Sequence, residues 1–475
     1  MFINGRTVPA SDGATIDSLN PATGERIGRF PNATTADVDA AVGAASAAFD
    51  RWRRTEPAER AAALYALADI VDEHGHELAA LDVADNGSPI REMRKDAAMA
   101  SAQIRYYAGL VPQVRGETIP VSYDRLNYTL PQPYGVVARI IPFNHPLMFA
   151  ASKIAAPLAA GNTVIVKPSE HTSLSALRLA ELAAEALPAG VFNVVTGYGH
   201  QAGDALVRHP AIRRLAFIGA ADTGRAIQAA AASVSVKHVT LELGGKNPLA
   251  VFADANLPQA VAAAVRGMNF TWQGQSCGST SRLLVDRSIY GDFLDLLTDS
   301  VEQMRSGMPD DEATETGAIV NQAQFDKVRG YIEIGRSEGA RLVAGGAPPA
   351  GAEFRNGLFI RPTVFADVDP GSRLAQEEIF GPVLAAMPFN GYDDAVAIAN
   401  SVRYGLTASA FTTSLATAHR FARDVAAGYV WINEVSRHIQ GAAFGGVKDS
   451  GLGREEGTEE LLSYTQSKNV HVNFG

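Results

Sequence analysis

The chain has 475 residues, 47% hydrophobic and 19% charged, with 41 Lys and Arg against 51 Asp and Glu for a formal charge of −10. This is globular usage rather than disordered or fibrous usage, and the length suits about two to four domains. An acidic balance without basic runs excludes an electrostatic footprint for nucleic acid or anionic lipid, and no run of about 18 apolar residues offers a membrane span.

In chain order, the N-terminal Met1-Phe2-Ile3-Asn4-Gly5-Arg6 lacks the apolar segment of a signal peptide. With Cys277 the only cysteine, no intrachain disulfide can form, and a cytoplasmic protein is expected. Residues 37–54 and 59–85 are Ala-rich with apolar residues at helical spacing and read as two amphipathic helices. Residues 123–134 alternate polar and bulky side chains around Pro131 and Pro133, the pattern of an exposed β-arm with edge-strand character. Strands are then expected at 135–141, 163–167, 191–196, 213–218 and 238–242, with helices at 146–160, 173–186, 202–208 and 222–233 between them. Such alternation marks a parallel sheet covered by helices on both faces. After Gly244-Gly245 a second alternation runs through 249–252, 257–268, 282–286, 289–307, 324–338, 341–344 and 383–389 to 429–432. No repeat of 20–50 residues recurs.

The glycine patterns decide little by themselves. Gly219-x-x-x-x-Gly224 opens a helix after a strand, but Arg225-Ala226 replaces the Lys-Ser/Thr of a nucleoside triphosphatase loop. Gly197-x-Gly199-x-x-x-Gly203 misses the dinucleotide spacing by one residue and reads as a turn, although either helix start offers free N–H groups to a diphosphate. His74 and His76 stand two apart on a helix, so they face different ways, and no metal site is expected. Glu377 and Glu378 diverge for the same reason. Cys277 is different. It lies in Gln273-Gly274-Gln275-Ser276-Cys277-Gly278-Ser279, a loop of small and polar residues where a buried structural cysteine would have apolar neighbours. Glycines there admit a substrate or cofactor ring, and backbone N–H groups can favour the thiolate of a nucleophile. Glu242 ends a strand, Asn144 follows one in Pro142-Phe143-Asn144-His145-Pro146, and Lys167 and Glu170 follow another. The carboxyl ends of such strands carry the binding crevice.

These residues resemble the NAD(P)-dependent aldehyde dehydrogenase superfamily from end to end. The resemblance rests on Pro142-Phe143-Asn144, Lys167-Pro168-Ser169-Glu170, Phe217-Ile218-Gly219 through Gly224, Glu242-Leu243-Gly244-Gly245-Lys246 and Gly274-Gln275-Ser276-Cys277. It continues through Glu377-Glu378-Ile379-Phe380-Gly381-Pro382, Asn400 with Tyr404-Gly405-Leu406, and Phe444-Gly445-Gly446-Val447-Lys448 up to Ser450-Gly451-Leu452-Gly453-Arg454-Glu455. It implies an α/β fold with a Rossmann-like cofactor domain (1–117 and 137–245), an α/β catalytic domain (246–440), and a β oligomerisation arm with a tail (118–136 and 455–475). A homodimer or homotetramer joined through that arm is implied too.

The resemblance also implies roles. Cys277 would attack the aldehyde, with the Asn144 amide and the Cys277 N–H holding the oxyanion; Glu242 would activate the water that hydrolyses the thioester. Cofactor contacts would come from Ile141, Pro142, Phe143, Lys167, Ser169, Glu170, Gly219, Ala220, Gly224, Leu243, Glu378 and Phe380, with Glu170 favouring NAD over NADP because it repels a 2′-phosphate. The substrate tunnel would be lined by His145, Phe149, Ser152, Trp272, Ser276, Gly278, Phe444 and the 436–439 loop carrying Arg437 and His438. Flat walls beside small residues suggest an aromatic aldehyde, and Arg437 with the two histidines suggests a carboxylate or hydroxyl on it. Phe143, Ala220 and Ala443 stand where the family often has Trp, Ser and Pro. An acylating relative that hands the thioester to coenzyme A often lacks the base, and a non-catalytic binding protein needs none of the three groups; Glu242, Cys277 and Asn144 together argue against both.

Overall fold

A computed structural model describes residues 1–475. The first alternation builds an eight-stranded sheet whose five inner strands are parallel. From one side these run His238–Leu243, Ile212–Gly219, Val136–Ile140, Thr163–Lys167 and Phe192–Val194. In order of appearance this is 5-4-1-2-3, so the direction of progression reverses between Val136–Ile140 and Ile212–Gly219, and a crevice opens outside their carboxyl ends. Thr163–Lys167 is buried along its whole length, as a strand covered on both faces must be. Antiparallel segments close both edges: Phe2–Ile3 against the 192–194 strand, and Gly451–Leu452 against Leu241 and Glu242.

The chain passes from Leu243 to Pro248 directly into a seven-stranded sheet. Its order is Arg341–Ala344, Thr363–Ala366, Val383–Phe389, Arg282–Asp286, Pro248–Val251, Thr407–Phe411 and Tyr429–Ile432, parallel except for the first. Apolar clusters pack on both faces of each sheet. A third sheet projects as the arm: Thr118–Ser122, Arg125–Pro133 and the C-terminal Thr465–Asn473. No helix is long and apolar enough to cross a membrane.

The structure amends the sequence reading in several places, and the strands Thr363–Ala366 and Thr407–Phe411 and helices Gly391–Asn400 and Leu415–Asp424 are additions to it. The helix expected over 59–85 is two, Pro57–Glu73 and Gly75–Asn86, broken where His74 leaves helical geometry (φ −98°, ψ 9°) ahead of Gly75. The helix expected over 146–160 is likewise split into Pro146–Ser152 and Ala155–Ala159. Helix Ile90–Leu110 was not anticipated; its buried face carries Ile90, Met93, Ile104 and Tyr107 among small residues and includes the acids Glu92 and Asp96. The arm strand carrying Pro131 and Pro133 is central, not an edge. The prolines are tolerated because they pair only with Ser467 and Thr465, beyond the reach of the 118–122 strand, which pairs no further than Tyr128.

The C-terminal segment docks on the first sheet through buried charge. Arg139 donates to Glu455 (2.8 Å) and to the Tyr464 hydroxyl (2.7 Å), Lys153 reaches the other Glu455 oxygen (2.8 Å), and Arg214 lies 4.4 Å over the Tyr464 ring.

Candidate active site

Strand register sets the heights of the side chains at the crevice. Ile140 pairs with Lys167 and with Phe217, and Ile218 pairs with Glu242, so the loops that follow leave the sheet at one level. The Ile141 N–H donates to the Lys167 carbonyl (3.0 Å), and Asn86 Nδ2 donates to the Phe143 carbonyl (2.5 Å), which fixes the turn presenting Asn144. Asn144 is buried and its Oδ1 has no partner. Glu242 is 6% exposed, and neither carboxyl oxygen is hydrogen-bonded. Its Oε1 lies 2.8 Å from the position a side chain at Gly445 would take, so only glycine fits opposite it. Burial first, then the Glu455 charge, pushes its pKa well above the carboxylate range.

The cysteine loop follows helix Leu257–Gly267, whose start is capped by the Asn256 side chain on the Gln259 N–H. Asn269, Gln273 and Gly274 all adopt positive φ (54°, 53° and 66°). At Gly274 a Cβ would stand 2.2 Å from the Gly381 carbonyl oxygen, so the loop needs glycine there to pass the 377–381 segment. Asn247 Nδ2 donates to the carbonyls of Cys277 (2.8 Å) and Ser279 (3.0 Å), and Ser88 Oγ donates to Gln273 Oε1 (3.1 Å). The Cys277 N–H is taken by no backbone carbonyl. Burial, then the Glu242 charge, pushes the thiol up to about 12, and only the Gly278 N–H acts against them.

On the cofactor side, Glu378 accepts from the Gly245 N–H (3.0 Å), and a Cβ at Gly244 would lie 2.0 Å from its carboxyl oxygen. Glu377 turns the other way, to Arg373 and the Tyr331 hydroxyl, as adjacent residues should. Phe380 holds positive φ (59°), and its ring meets Phe143 edge-on at 5.6 Å. A small pocket lined by Gly245, Gly274, Ser276, Glu378 and Phe380 joins this loop to the cysteine loop. Lys167 is buried, its Nζ on the Pro168 carbonyl (2.8 Å) and 3.6 Å from Glu170; burial lowers its pKa. Ser169 is buried and Glu170 half-buried. Gly219 leaves no room for a side chain because Phe217 lies 2.4 Å from its Cβ position, and a Cβ at Gly224 would stand 2.8 Å from the Leu243 side chain. Helix Ala221–Ala232 begins after Ala220 with no side-chain cap, so its first N–H groups are free.

The substrate-side residues form two aromatic groups. His145 stands 5.5 Å from both Phe149 and Trp272, and its Nδ1 is 2.7 Å from Asp96 Oδ2. His438 packs on Phe444 (4.8 Å) and bonds Glu456 Oε2 (2.8 Å), while Glu456 Oε1 lies 3.9 Å from Lys153 Nζ. Ser276 and Gly278 are half-exposed beside Cys277, while the Ser152 hydroxyl turns back to the Met148 carbonyl (2.6 Å). Arg437 is exposed; its carbonyl, not its guanidinium, is engaged, by Trp431 Nε1 (2.8 Å). His74 pairs with Glu77 (3.1 Å) on an exposed surface.

The aldehyde dehydrogenase family model matches residues 8–470. The chain belongs to the aldehyde dehydrogenase family. An aldehyde dehydrogenase, tropH, of Talaromyces stipitatus is 44% identical, with 100% of this chain and 93% of that protein covered. PnpE of Pseudomonas sp. WBC-3, solved with nicotinamide adenine dinucleotide, superposes with a TM-score of 0.98 at 43% identity, covering 100% and 97% of the two chains. AldA of P. syringae, an indole-3-acetaldehyde dehydrogenase solved with NAD+ and IAA, gives 0.97 at 38% identity over 99% and 96%. The fold is therefore that of the aldehyde dehydrogenases.

Sequence reasoning about this family member missed four residues of the site. Asn247, Asn86 and Ser88 hold the two loops, and Asp96 holds His145. Asn247, directly after Gly244-Gly245-Lys246, carried a signal in its position; the other three lie far away in sequence.

Proposed function

We propose that this protein oxidises an aldehyde to the carboxylic acid with NAD, Cys277 acting as nucleophile, Glu242 as general base and Asn144 as the oxyanion-holding amide. The observation that carries the reading is a buried unpartnered carboxyl whose charge acts on the only thiol in the chain; a buried amide with no partner at Oδ1 supports it. Structural side chains at such burial would be satisfied. Attack of the sulfur on the carbonyl carbon gives a thiohemiacetal whose oxyanion is met by the Asn144 amide and the free Cys277 N–H. Asn247, by holding the Cys277 carbonyl, fixes the peptide between Cys277 and Gly278. When bound, NAD supplies the acceptor for the hydride. Glu242, whose charge is disfavoured by burial, takes a proton from the water that opens the Cys277 thioester.

The crevice fits NAD. The uncapped start of helix Ala221–Ala232, after Gly219 and Ala220, offers N–H groups to a diphosphate. Lys167 and Glu170 would meet the adenosine ribose, and Glu378, cradled by Gly244 and Gly245, the nicotinamide ribose. Glu170 favours NAD over NADP. The division that accompanies this reading is a cofactor domain at 1–117 and 137–245, a catalytic domain at 246–440, and an arm with tail at 118–136 and 455–475. The arm exposes Ile119, Val121, Leu126 and Leu130 for a second copy in a homodimer or homotetramer, and the cytoplasm is the expected compartment.

The aromatic walls Phe149 and Trp272 support an aromatic aldehyde, a class that the name of the AldA relative also contains. The expectation of a carboxylate on it rests on Arg437, which stands in solvent where its charge is screened. NADH absorbance with benzaldehyde, a carboxybenzaldehyde and acetaldehyde, each with NAD or NADP and with or without coenzyme A, tests all of this. We expect NAD-dependent oxidation without coenzyme A, fastest for the aromatic substrates, and loss of it in Cys277→Ala. Oxidation at near wild-type rate in that variant overturns the mechanism, equal efficiency with NADP overturns the role of Glu170, and preference for acetaldehyde overturns the substrate class.

A further inference from the structure

His145 follows Asn144 directly, yet it is built differently from the apolar wall around it. Its Nδ1 lies 2.7 Å from Asp96 Oδ2, a carboxylate delivered from the middle of helix Ile90–Leu110. Asp96 is 3% exposed, and an acid so buried needs a partner; the imidazole is that partner. The bond also fixes the ring. With Nδ1–H donated to Asp96, Nε2 is the free nitrogen, and no protein group bonds it; nor is it among the sealed, unpartnered polar atoms of the interior. Nε2 therefore opens on free space, and the ring is flanked by Phe149 and Trp272 at 5.5 Å each.

A histidine kept only to pair with Asp96 would have no use for an open nitrogen in front. A hydroxyl suits this nitrogen in either charge state, donating to the neutral ring or accepting from the imidazolium. A carboxylate suits only the imidazolium, and an unsubstituted ring leaves the nitrogen without a partner. Resting on the reading of this cleft as the aldehyde site, we propose that His145, oriented by Asp96, is a specificity-determining residue that selects aldehydes bearing a hydroxyl on the side chain, of the hydroxybenzaldehyde class. Phe149 and Trp272 hold the ring's faces, and His145 Nε2 takes the hydroxyl.

The test compares kcat/KM for the three hydroxybenzaldehyde isomers, a carboxybenzaldehyde and benzaldehyde in wild type, His145→Phe, His145→Gln and Asp96→Asn. One hydroxyl isomer should exceed benzaldehyde by about tenfold or more, chiefly through KM, because losing it leaves a polar group of the site unpaired. His145→Phe should bring that ratio to about one, while His145→Gln, which keeps a hydrogen-bonding end, restores part of it. Asp96→Asn should lower the ratio less than His145→Phe does. A purely structural role would depress both substrates together and leave the ratio standing in His145→Phe; that result overturns the proposal. So does a wild-type enzyme that treats every hydroxyl isomer like benzaldehyde, or one that prefers the carboxylated ring. Calorimetric binding of the matching hydroxybenzoate to Cys277→Ala, with and without His145→Phe, should show the same loss of about tenfold; unchanged binding refutes the contact. Failure of any aldehyde to reduce NAD would instead sink the proposed activity, a separate outcome.

Discussion

Replacing Glu242 by Gln keeps the shape of the side chain and removes its charge, and two effects follow in opposite directions. Deacylation loses its base, a loss of about 10²–10⁴-fold, while acylation keeps its thiol and amide, so NADH should appear in a rapid burst followed by slow turnover. The thiol, meanwhile, should become more acidic. Burial and then the Glu242 charge push the Cys277 thiol up to about 12. The substitution leaves the burial in place and deletes the charge. A like charge this close is worth about one pK unit or more, so iodoacetamide should label the variant about tenfold faster in alkaline buffer, where wild-type Glu242 is ionised. At lower pH, where the carboxyl is neutral, the two rates should converge. Slower labelling of the variant at every pH would mean that Glu242 draws the proton from the thiol, and absence of the burst would remove its role as a base acting only on the thioester; either result refutes the reasoning.

Lys153→Met takes one of two buried cations from Glu455, leaving Arg139 on the other oxygen. Breaking such a pair costs about 3–5 kcal/mol, with the lower end expected here, and the urea midpoint should fall accordingly; an unchanged midpoint would refute the account of tail docking. Asp82 concerns pH. Burial, the largest cause, holds its folded-state pKa up to about 7 against 3.8, so its contribution to stability is full below about pH 4 and is lost as pH rises through about 7. Asp82→Asn should therefore stabilise the protein above pH 7 and do little near pH 4. Equal shifts in urea midpoint at both pH values would refute it.

The sequence by itself determined the elements whose signal is local. Thr163–Lys167, Arg282–Asp286 and Val383–Phe389 fall where their apolar runs place them, because a buried parallel strand must be apolar along its length. The cysteine loop was legible for the converse reason: small polar residues around a lone thiol make no sense as core. Tertiary structure alone decided which side chains meet. The 5-4-1-2-3 strand order and its register bring the loops after Ile140, Lys167, Gly219 and Glu242 to one crevice, and no local pattern encodes which strands become neighbours. Helix Ile90–Leu110 interrupts its buried apolar face with the acids Glu92 and Asp96, and Asp96 reads as a surface acid until His145, from another part of the chain, arrives to bond it. Arg139, Lys153 and Glu455 are ordinary exposed charges in sequence and a buried cluster in the fold. Propensity and periodicity act over a few residues, whereas the partner that permits a charge to be buried is supplied by distant chain segments that only the completed fold brings together.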